Sequence, residues 1–173
     1  MSKQIEFKTD NATYIFQHPG IRYVDEMSDK SLDKNNRNMP HRYNELMMEN
    51  VIVSPAVNYA YFDKLEGDKK EVFEINGRKY EFVNPGAKTL SEMSYHFTDG
   101  EGKPSQVKVK EQFMKHIIKY DGEVVSYDFF DELGDIREFN TVIEKSTVFV
   151  QNTEFMRVMT ACRQFLNGEE IEG

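Results

Sequence analysis

The clearest structural signal in this chain is the stretch Val72-Phe73-Glu74-Ile75-Asn76-Gly77-Arg78-Lys79-Tyr80-Glu81-Phe82-Val83-Asn84-Pro85-Gly86. Apolar and polar residues alternate on both sides of Asn76-Gly77, which is the pattern of two strands joined by a tight β-hairpin turn. The Pro-Gly pair then predicts the start of a helix, because proline is favoured at the first helical position. We place Asn84 at the N-cap of that helix.

The same pattern occurs near the N-terminus. Pro19-Gly20 and Pro85-Gly86 set an offset of 66 residues (85 − 19 = 66). Residues 5–28 and 71–94 share 8 identities in 24 positions, where about one or two are expected by chance. The N-terminal hairpin is predicted at 5–17, with His18 at the following N-cap. The first third of the chain is therefore duplicated.

The similarity continues through two amphipathic helices and an aromatic segment in each copy. Leu46 and Met47 match Phe113 and Met114 at an offset of 67, which predicts a one-residue insertion in the polar connector before the second helix. The second-helix face of the second copy includes Ile118. The aromatic segments, predicted as turns over 59–65 and 127–133, match at 68. Insertions of this kind are tolerated in loops.

These observations predict an α+β fold with two tandem related units packed together and C-terminal helices behind them. We expect a single domain over 1–173, with unit 1 at about 5–67 and unit 2 at about 71–135. A C-terminal helical segment follows at 136–168. In it, 147–150 suits either a strand or a helix end, whereas 153–166 is a clear amphipathic helix. The final residues, 169–173, form an acidic tail predicted to be disordered.

Composition limits the classes of function. The net charge of −8 and the pI of about 5.1 disfavour direct binding to nucleic acid. Cys162 is the single cysteine, so no internal disulfide is available, and no stretch is apolar enough to span a membrane. The N-terminus has no apolar signal segment. We therefore expect a protein of the cytoplasm that does not interact with membranes.

No established catalytic, cofactor or metal motif is present, so we predict a protein that is not an enzyme and needs no cofactor. The histidines are scattered without metal-ligand spacing. Cys162 lies on an apolar helical stripe, where a buried structural role is favoured over a nucleophile. The carboxylate pairs are expected on solvent-facing surfaces; they are Asp25-Glu26, Asp63 with Glu66, and Asp131-Glu132.

Aromatic and sulfur-containing side chains are the candidates for partner binding, because these residue types dominate protein interfaces. Packing between the units is the favoured interpretation of the aromatic segments, and partner contact is the alternative. The candidates are Tyr59, Tyr61, Phe62, Tyr127, Phe129, Phe130, Phe155 and Met159.

Four short motifs resemble the tail assembly chaperones of long-tailed phages that infect Gram-positive bacteria. They are the stretches 14–20, 51–55 and 61–63 and the end of the last predicted helix, Phe165-Leu166-Asn167-Gly168. The resemblance covers unit 1 and the last helix. It implies a non-catalytic protein of the host cytoplasm, absent from the mature virion, that binds the tape measure protein and recruits tail tube subunits.

Two other classes fit the same sequence. A phage structural subunit of the tail or connector would self-assemble, and the hairpin edges offer a route to that. An acidic phage protein that binds and inhibits a host protein would cluster carboxylates on one face. Homo-oligomerisation is required by the structural-subunit hypothesis and is left open by the other two.

Overall fold

Each unit begins with the predicted β-hairpin and adds a third strand to it. The computed structural model describes residues 3–171. In unit 1, the three-stranded sheet has the order β1-β2-β3, with Phe7 opposite Tyr14 across the hairpin. The elements of unit 1 are β1 (Gln4–Lys8), β2 (Thr13–Gln17), α1 (Ile21–Lys30), α2 (Pro40–Asn50), β3 (Ile52–Ser54) and α3 (Tyr59–Glu66).

Unit 2 repeats this arrangement with one additional strand. Its sheet has the order β4-β5-β6-β7, with Phe73 opposite Tyr80, the equivalents of Phe7 and Tyr14. The described chain ends with two long helices. The elements are β4 (Lys70–Ile75), β5 (Arg78–Val83), α4 (Ala87–Met93), α5 (Gln106–His116), β6 (Ile118–Tyr120), β7 (Glu123–Val124), α6 (Tyr127–Leu133), α7 (Ile136–Gln151) and α8 (Glu154–Leu166).

The turn prediction is confirmed, whereas the predicted helix starts are wrong by two residues. Asn76 and Gly77 have φ angles of 51° and 76°, as a type I′ hairpin turn requires. The N-caps are Gly20 and Gly86, with φ angles of 107° and 102°. A backbone in this region strongly favours glycine. The prolines therefore precede the helices, and His18 and Asn84 instead accept the glycine N–H through their side chains.

The 66-residue offset between the units extends further along the chain than predicted. The predicted one-residue insertion in the connector before the second helix is therefore wrong. Met39 N donates to Ser31 O in one connector, and Ser105 N donates to Phe97 O in the other. Helices α2 and α5 and strands β3 and β6 also begin 66 residues apart. The drift to 68 arises entirely after the third strand, where unit 2 forms the β6–β7 hairpin. Met47 is thus equivalent to Phe113, and Ile118 lies in a strand instead of on the helix face.

Four further predictions concern the aromatic segments and the C-terminal region. The aromatic segments are helices, α3 and α6, and not turns, because Asn58 and Ser126 cap their first turns. Residues 147–150 belong to the helix α7. The amphipathic helix at the C-terminus is confirmed as α8. Residues 169–171 have no regular secondary structure, and the rest of the predicted tail lies outside the described residues.

The last two helices return to different units. Helix α7 packs on α5 and on the hairpin of unit 2, whereas α8 packs on α2 and α3 of unit 1. Phe149 of α7 contacts Phe82, and Phe165 of α8 contacts Phe16, with ring centroids 6.1 and 6.0 Å apart. One apolar core runs through both units and both helices. Each unit therefore completes its core with one C-terminal helix.

Candidate interaction surfaces

A buried glutamate joins the unit 2 hairpin to α7. Glu138 lies in the first turn of α7, and its side chain is fully buried. It accepts hydrogen bonds from Arg78 Nε at 2.8 Å and Nη2 at 2.7 Å, from Tyr80 Oη at 2.5 Å and from Asn76 Nδ2 at 3.0 Å. Both carboxylate oxygens are thus occupied by donors from the hairpin.

The titration behaviour of this cluster follows from its contacts. Hydrogen bonds from Arg78 lower the pKa of Glu138 to about 2, against the opposing effect of burial. Burial, together with the hydrogen bond to Glu138, raises the pKa of Tyr80. Glu138 is therefore a carboxylate at neutral pH, and its contacts hold α7 on the hairpin.

Unit 1 contains an equivalent cluster around Glu154 at the start of α8. Tyr14 Oη donates to Glu154 Oε1 at 2.9 Å, and Asn11 Nδ2 donates to Oε2 at 3.1 Å. The hydroxyl of Thr9 also donates to this carboxylate. Tyr14 and Tyr80 are equivalent at the 66-residue offset, so both units bind a first-turn glutamate in the same way.

These glutamates were absent from the sequence-based candidates, although the sequence contains a signal for them. Residues 138–149 and 154–165 share four identities in twelve positions at an offset of 16. The identical residues are Glu138 with Glu154, Phe139 with Phe155, Val142 with Val158 and Phe149 with Phe165. Helices α7 and α8 are therefore related to each other, and each belongs to one repeat unit.

The eight candidate partner-binding side chains divide into two groups. Phe62, Phe130, Phe155 and Met159 are buried in the core of the chain itself. We therefore do not include Phe62, Phe155 and Met159 in a partner surface, whereas Phe130 also lines a surface cavity. The other four are partly buried and pack against the core; they are Tyr59, Tyr61, Tyr127 and Phe129.

Units 1 and 2 meet through unlike faces. Helices α2 and α3 of unit 1 pack on α4 of unit 2. Asn44 Nδ2 donates to Ser91 Oγ at 2.8 Å, and the N-terminal N–H of α4, on Ala87, donates to Asp63 Oδ1 at 2.8 Å. Such an interface is heterologous, because each unit contributes a different surface.

Tyr59 and Tyr95 add polar contacts to the same interface. Tyr59 Oη lies 3.4 Å from Ser91 Oγ, and burial raises the pKa of Tyr59 to about 12. Tyr95 Oη donates to Asp33 Oδ2 at 2.6 Å, and the Arg37 guanidinium lies 4.9 Å from the centre of the Tyr95 ring. The interface is therefore specific in its hydrogen bonding as well as apolar.

Because the units contribute different faces, one face of each unit takes no part in this interface. Unit 1 has a face equivalent to the α4 surface of unit 2, and unit 2 has a face equivalent to the α2–α3 surface of unit 1. We call them the α1 face, around Ile21, Asp25 and Asp29, and the α6 face, around Lys103, Lys110, Tyr127 and Asp131. Ile21 is 82% exposed, whereas its equivalent in the internal interface, Ala87, is 2% exposed.

The α6 face contains a cavity beside Asp131. It has a volume of about 310 Å³ and is lined by Tyr127, Phe130, Asp131 and Ile136, among others. Asp131 is the equivalent of Asp63, which binds the start of α4 in the internal interface. The cavity thus lies where a helix start equivalent to that of α4 would insert.

Charges on the two unused faces are complementary. Lys110 replaces Asn44 at the 66-residue offset, and Asp25 replaces Ser91. Lys103 likewise replaces Arg37, and Asp29 replaces Tyr95. Asp99, the equivalent of Asp33, would place one negative charge opposite Asp29. Two backbone N–H groups donate to Asp99 Oδ1 and offset part of that repulsion.

A groove crosses the junction between the units and the C-terminal helices. It has a volume of about 580 Å³, and its apolar lining includes Leu90, Met93, Phe113 and Val150. An adjoining cavity of about 390 Å³ is reached past Arg163 at one end. Helices α2, α4, α5, α7 and α8 supply most of the walls.

Most of the other side chains considered for chemistry are accounted for by the fold. Cys162 is fully buried, and burial raises the pKa of its thiol. Within residues 3–171, no group of three histidine, cysteine or acidic side chains is placed to hold a metal ion. Over the same range, no helix has the length and apolar character needed to cross a membrane.

Comparisons with protein-family models, with curated proteins and with solved structures give no match to this chain.

Proposed function

We propose that this chain is a non-catalytic tail assembly chaperone of a long-tailed phage that infects Gram-positive bacteria. In this role it binds the tape measure protein and recruits tail tube subunits in the host cytoplasm, and it is absent from the mature virion. The motifs at 14–20, 51–55, 61–63 and 165–168 support this proposal. The observation that carries it is the heterologous interface between the two units.

A heterologous interface joins two different faces, so the same contact can be repeated from one copy to the next in one direction. When the α1 face of one copy binds the α6 face of another, the contact repeats the one between units 1 and 2. Ile21 would enter the cavity beside Asp131, while Asp25 would meet Lys110. Copies joined in this way form a row of units, and a row can hold a long helical protein through many weak contacts.

The head-to-tail contact predicts self-association that depends on Ile21. Changing Ile21 to aspartate should weaken association about tenfold or more, because a carboxylate would replace an apolar side chain in a cavity that Asp131 and Asp135 also line. Sedimentation velocity over a range of concentrations measures this. Val72→Asp is the matched control, since Val72 is also exposed, at 63%, but lies on β4 outside both faces.

A charge exchange tests the orientation of the same contact. Asp25→Lys and Lys110→Asp should each weaken association, and the double variant should restore it, because the opposite charges face each other again. A wild-type chain that stays monomeric at every concentration would contradict the head-to-tail arrangement. Association that is equally weak in the double variant would contradict the pairing.

Co-expression with the tape measure protein tests the chaperone function itself. We expect the tape measure protein to be soluble with the wild-type chain and less soluble with Ile21→Asp, because isolated copies lose multivalent binding. The soluble fraction of the tape measure protein is the readout. Equal precipitation with and without the chain would overturn the proposal.

A structural subunit of the phage tail or connector is the second candidate, because the same two faces would also build a ring or tube. Mass spectrometry of purified virions separates the two functions. The chaperone should be missing from virions, whereas a structural subunit should be present in many copies.

A further inference from the structure

The groove between the units and the C-terminal helices contains a cation that has no acidic partner among the described residues. Arg163 reaches it from α8, and its Nη2 donates to Asn44 Oδ1 at 2.7 Å. Within residues 3–171, none of the ion pairs includes Arg163. Burial lowers the pKa of its guanidinium, so the charge is held at a cost in solvation.

The shape and lining of the groove identify the kind of ligand. It joins the neighbouring cavity at Asn38, Pro40 and Arg163, so the two form one elongated depression that passes the guanidinium. Its walls are mainly helix surfaces and include no strand residue. Helical surfaces of this kind bind amphipathic helices through apolar anchors, whereas extended peptides add to the edge of a sheet.

We propose that this groove binds an amphipathic helix of a partner protein, with an acidic side chain of that helix paired to Arg163 and its apolar residues against the partly exposed side chains of Phe97, Val109 and Met156. The charge complementarity selects the ligand, because a carboxylate supplies the negative charge that no ion pair within residues 3–171 gives to Arg163. The proposal rests on the proposed function, since it names the segment type that such a chaperone would hold.

The test uses a designed helical peptide of about 15 residues, with a leucine stripe, one glutamate within that stripe and a terminal tryptophan. The chain has no tryptophan, so the indole fluorescence reports only the peptide. Titration with the full-length chain gives the Kd. A second peptide differs only by glutamine in place of the glutamate.

Removing the carboxylate should raise the Kd about tenfold to a hundredfold, because charge-assisted hydrogen bonds contribute that much. Arg163→Met should raise the Kd for the glutamate peptide equally and abolish the difference between the two peptides. Arg163→Lys should retain part of the preference. Arg157→Met is the control on the same helix, since Arg157 does not line the groove, and it should leave both Kd values unchanged.

Ser94→Phe supplies a second, independent variant. Ser94 lines the groove and is partly exposed, so the added ring should block the peptide without removing a core side chain. Circular dichroism confirms that each variant is folded. Equal binding of both peptides to the wild type, no binding of either, or binding that Ser94→Phe leaves intact would overturn the proposal.

A fatty acid such as laurate is included as a competitor. If laurate binds at Arg163 and the glutamate peptide does not displace it, the groove takes a small amphiphile and the helix proposal is wrong. None of these measurements uses a phage protein. If the peptide test fails but the chain keeps the tape measure protein soluble, only the groove proposal is rejected. If the peptide binds as expected but the tape measure protein precipitates, only the proposed function is rejected.

Discussion

Replacing Glu138 with alanine is expected to lower the free energy of unfolding by about 1–3 kcal/mol, because it leaves the buried Tyr80 hydroxyl and the partly exposed Arg78 guanidinium without their shared acceptor. Arg78 donates two hydrogen bonds to this carboxylate, and the Glu138 side chain is fully buried. Urea denaturation followed by circular dichroism measures the change.

Two variants show whether the buried pair is the cause. Glu144→Ala lies on the exposed side of the same helix and should change stability by less than about 0.5 kcal/mol. Combining Glu138→Leu with Arg78→Met should recover part of the loss, because removing both partners leaves no buried charge unpaired. Equal effects of Glu138→Ala and Glu144→Ala would show that the cluster does not stabilise the fold.

The same carboxylate sets part of the acid stability. Its pKa is lowered from 4.5 to about 2 in the folded chain, so the folded state binds fewer protons than the unfolded state in this range. The stabilisation is therefore complete above about pH 4.5 and is lost as the pH falls toward 2. The Glu138→Gln variant has no carboxyl group at this position. The difference in unfolding free energy between this variant and the wild type should therefore shrink as the pH falls from about 4.5 to about 2.

Phe155→Ala is expected to cost about 3–5 kcal/mol in unfolding free energy, because it opens a cavity in the core of unit 1. Phe155 is 2% exposed, and its ring centroid lies 5.2 Å from that of Phe62. Phe139→Ala should cost a similar amount in unit 2, where the ring lies 4.9 Å from Phe130. Val148→Ala, at an exposed site on α7, is the control.

Hydrogen exchange locates each effect. Phe155→Ala should increase amide exchange first in the hairpin β1–β2, and Phe139→Ala should do so in β4–β5, because each helix completes the core of a different unit. If both variants opened the same hairpin, the assignment of α8 to unit 1 and α7 to unit 2 would be wrong. A loss below about 1 kcal/mol for either phenylalanine would show that its cavity collapses.

The aromatic segments show why candidate partner-binding residues are harder to predict than the fold. Their composition suits an interface as well as a core, and residue type alone does not separate the two. In the structure, Phe62 and Phe130 face inward because Asn58 and Ser126 cap short helices that direct these rings to the core. The exposed apolar residue on the α1 face is Ile21. In the sequence it lies at helical spacing with Val24 and Met27, so the pattern does not distinguish it from a core residue.

The sequence by itself determined the α+β class, the hairpin at Asn76-Gly77, the duplication and the amphipathic character of α8. These features depend on turn chemistry and on periodicity among residues close together in the chain. The similarity between α7 and α8 was also present in the sequence, at an offset of 16.

Only the tertiary structure decided which helix completes which unit and how the units face each other. Tyr14 and Glu154 are 140 residues apart, and Tyr80 and Glu138 are 58 apart, so no local pattern connects them. The direction of the interface between the units depends on which apolar faces pack most completely, and that choice is made by the whole core at once.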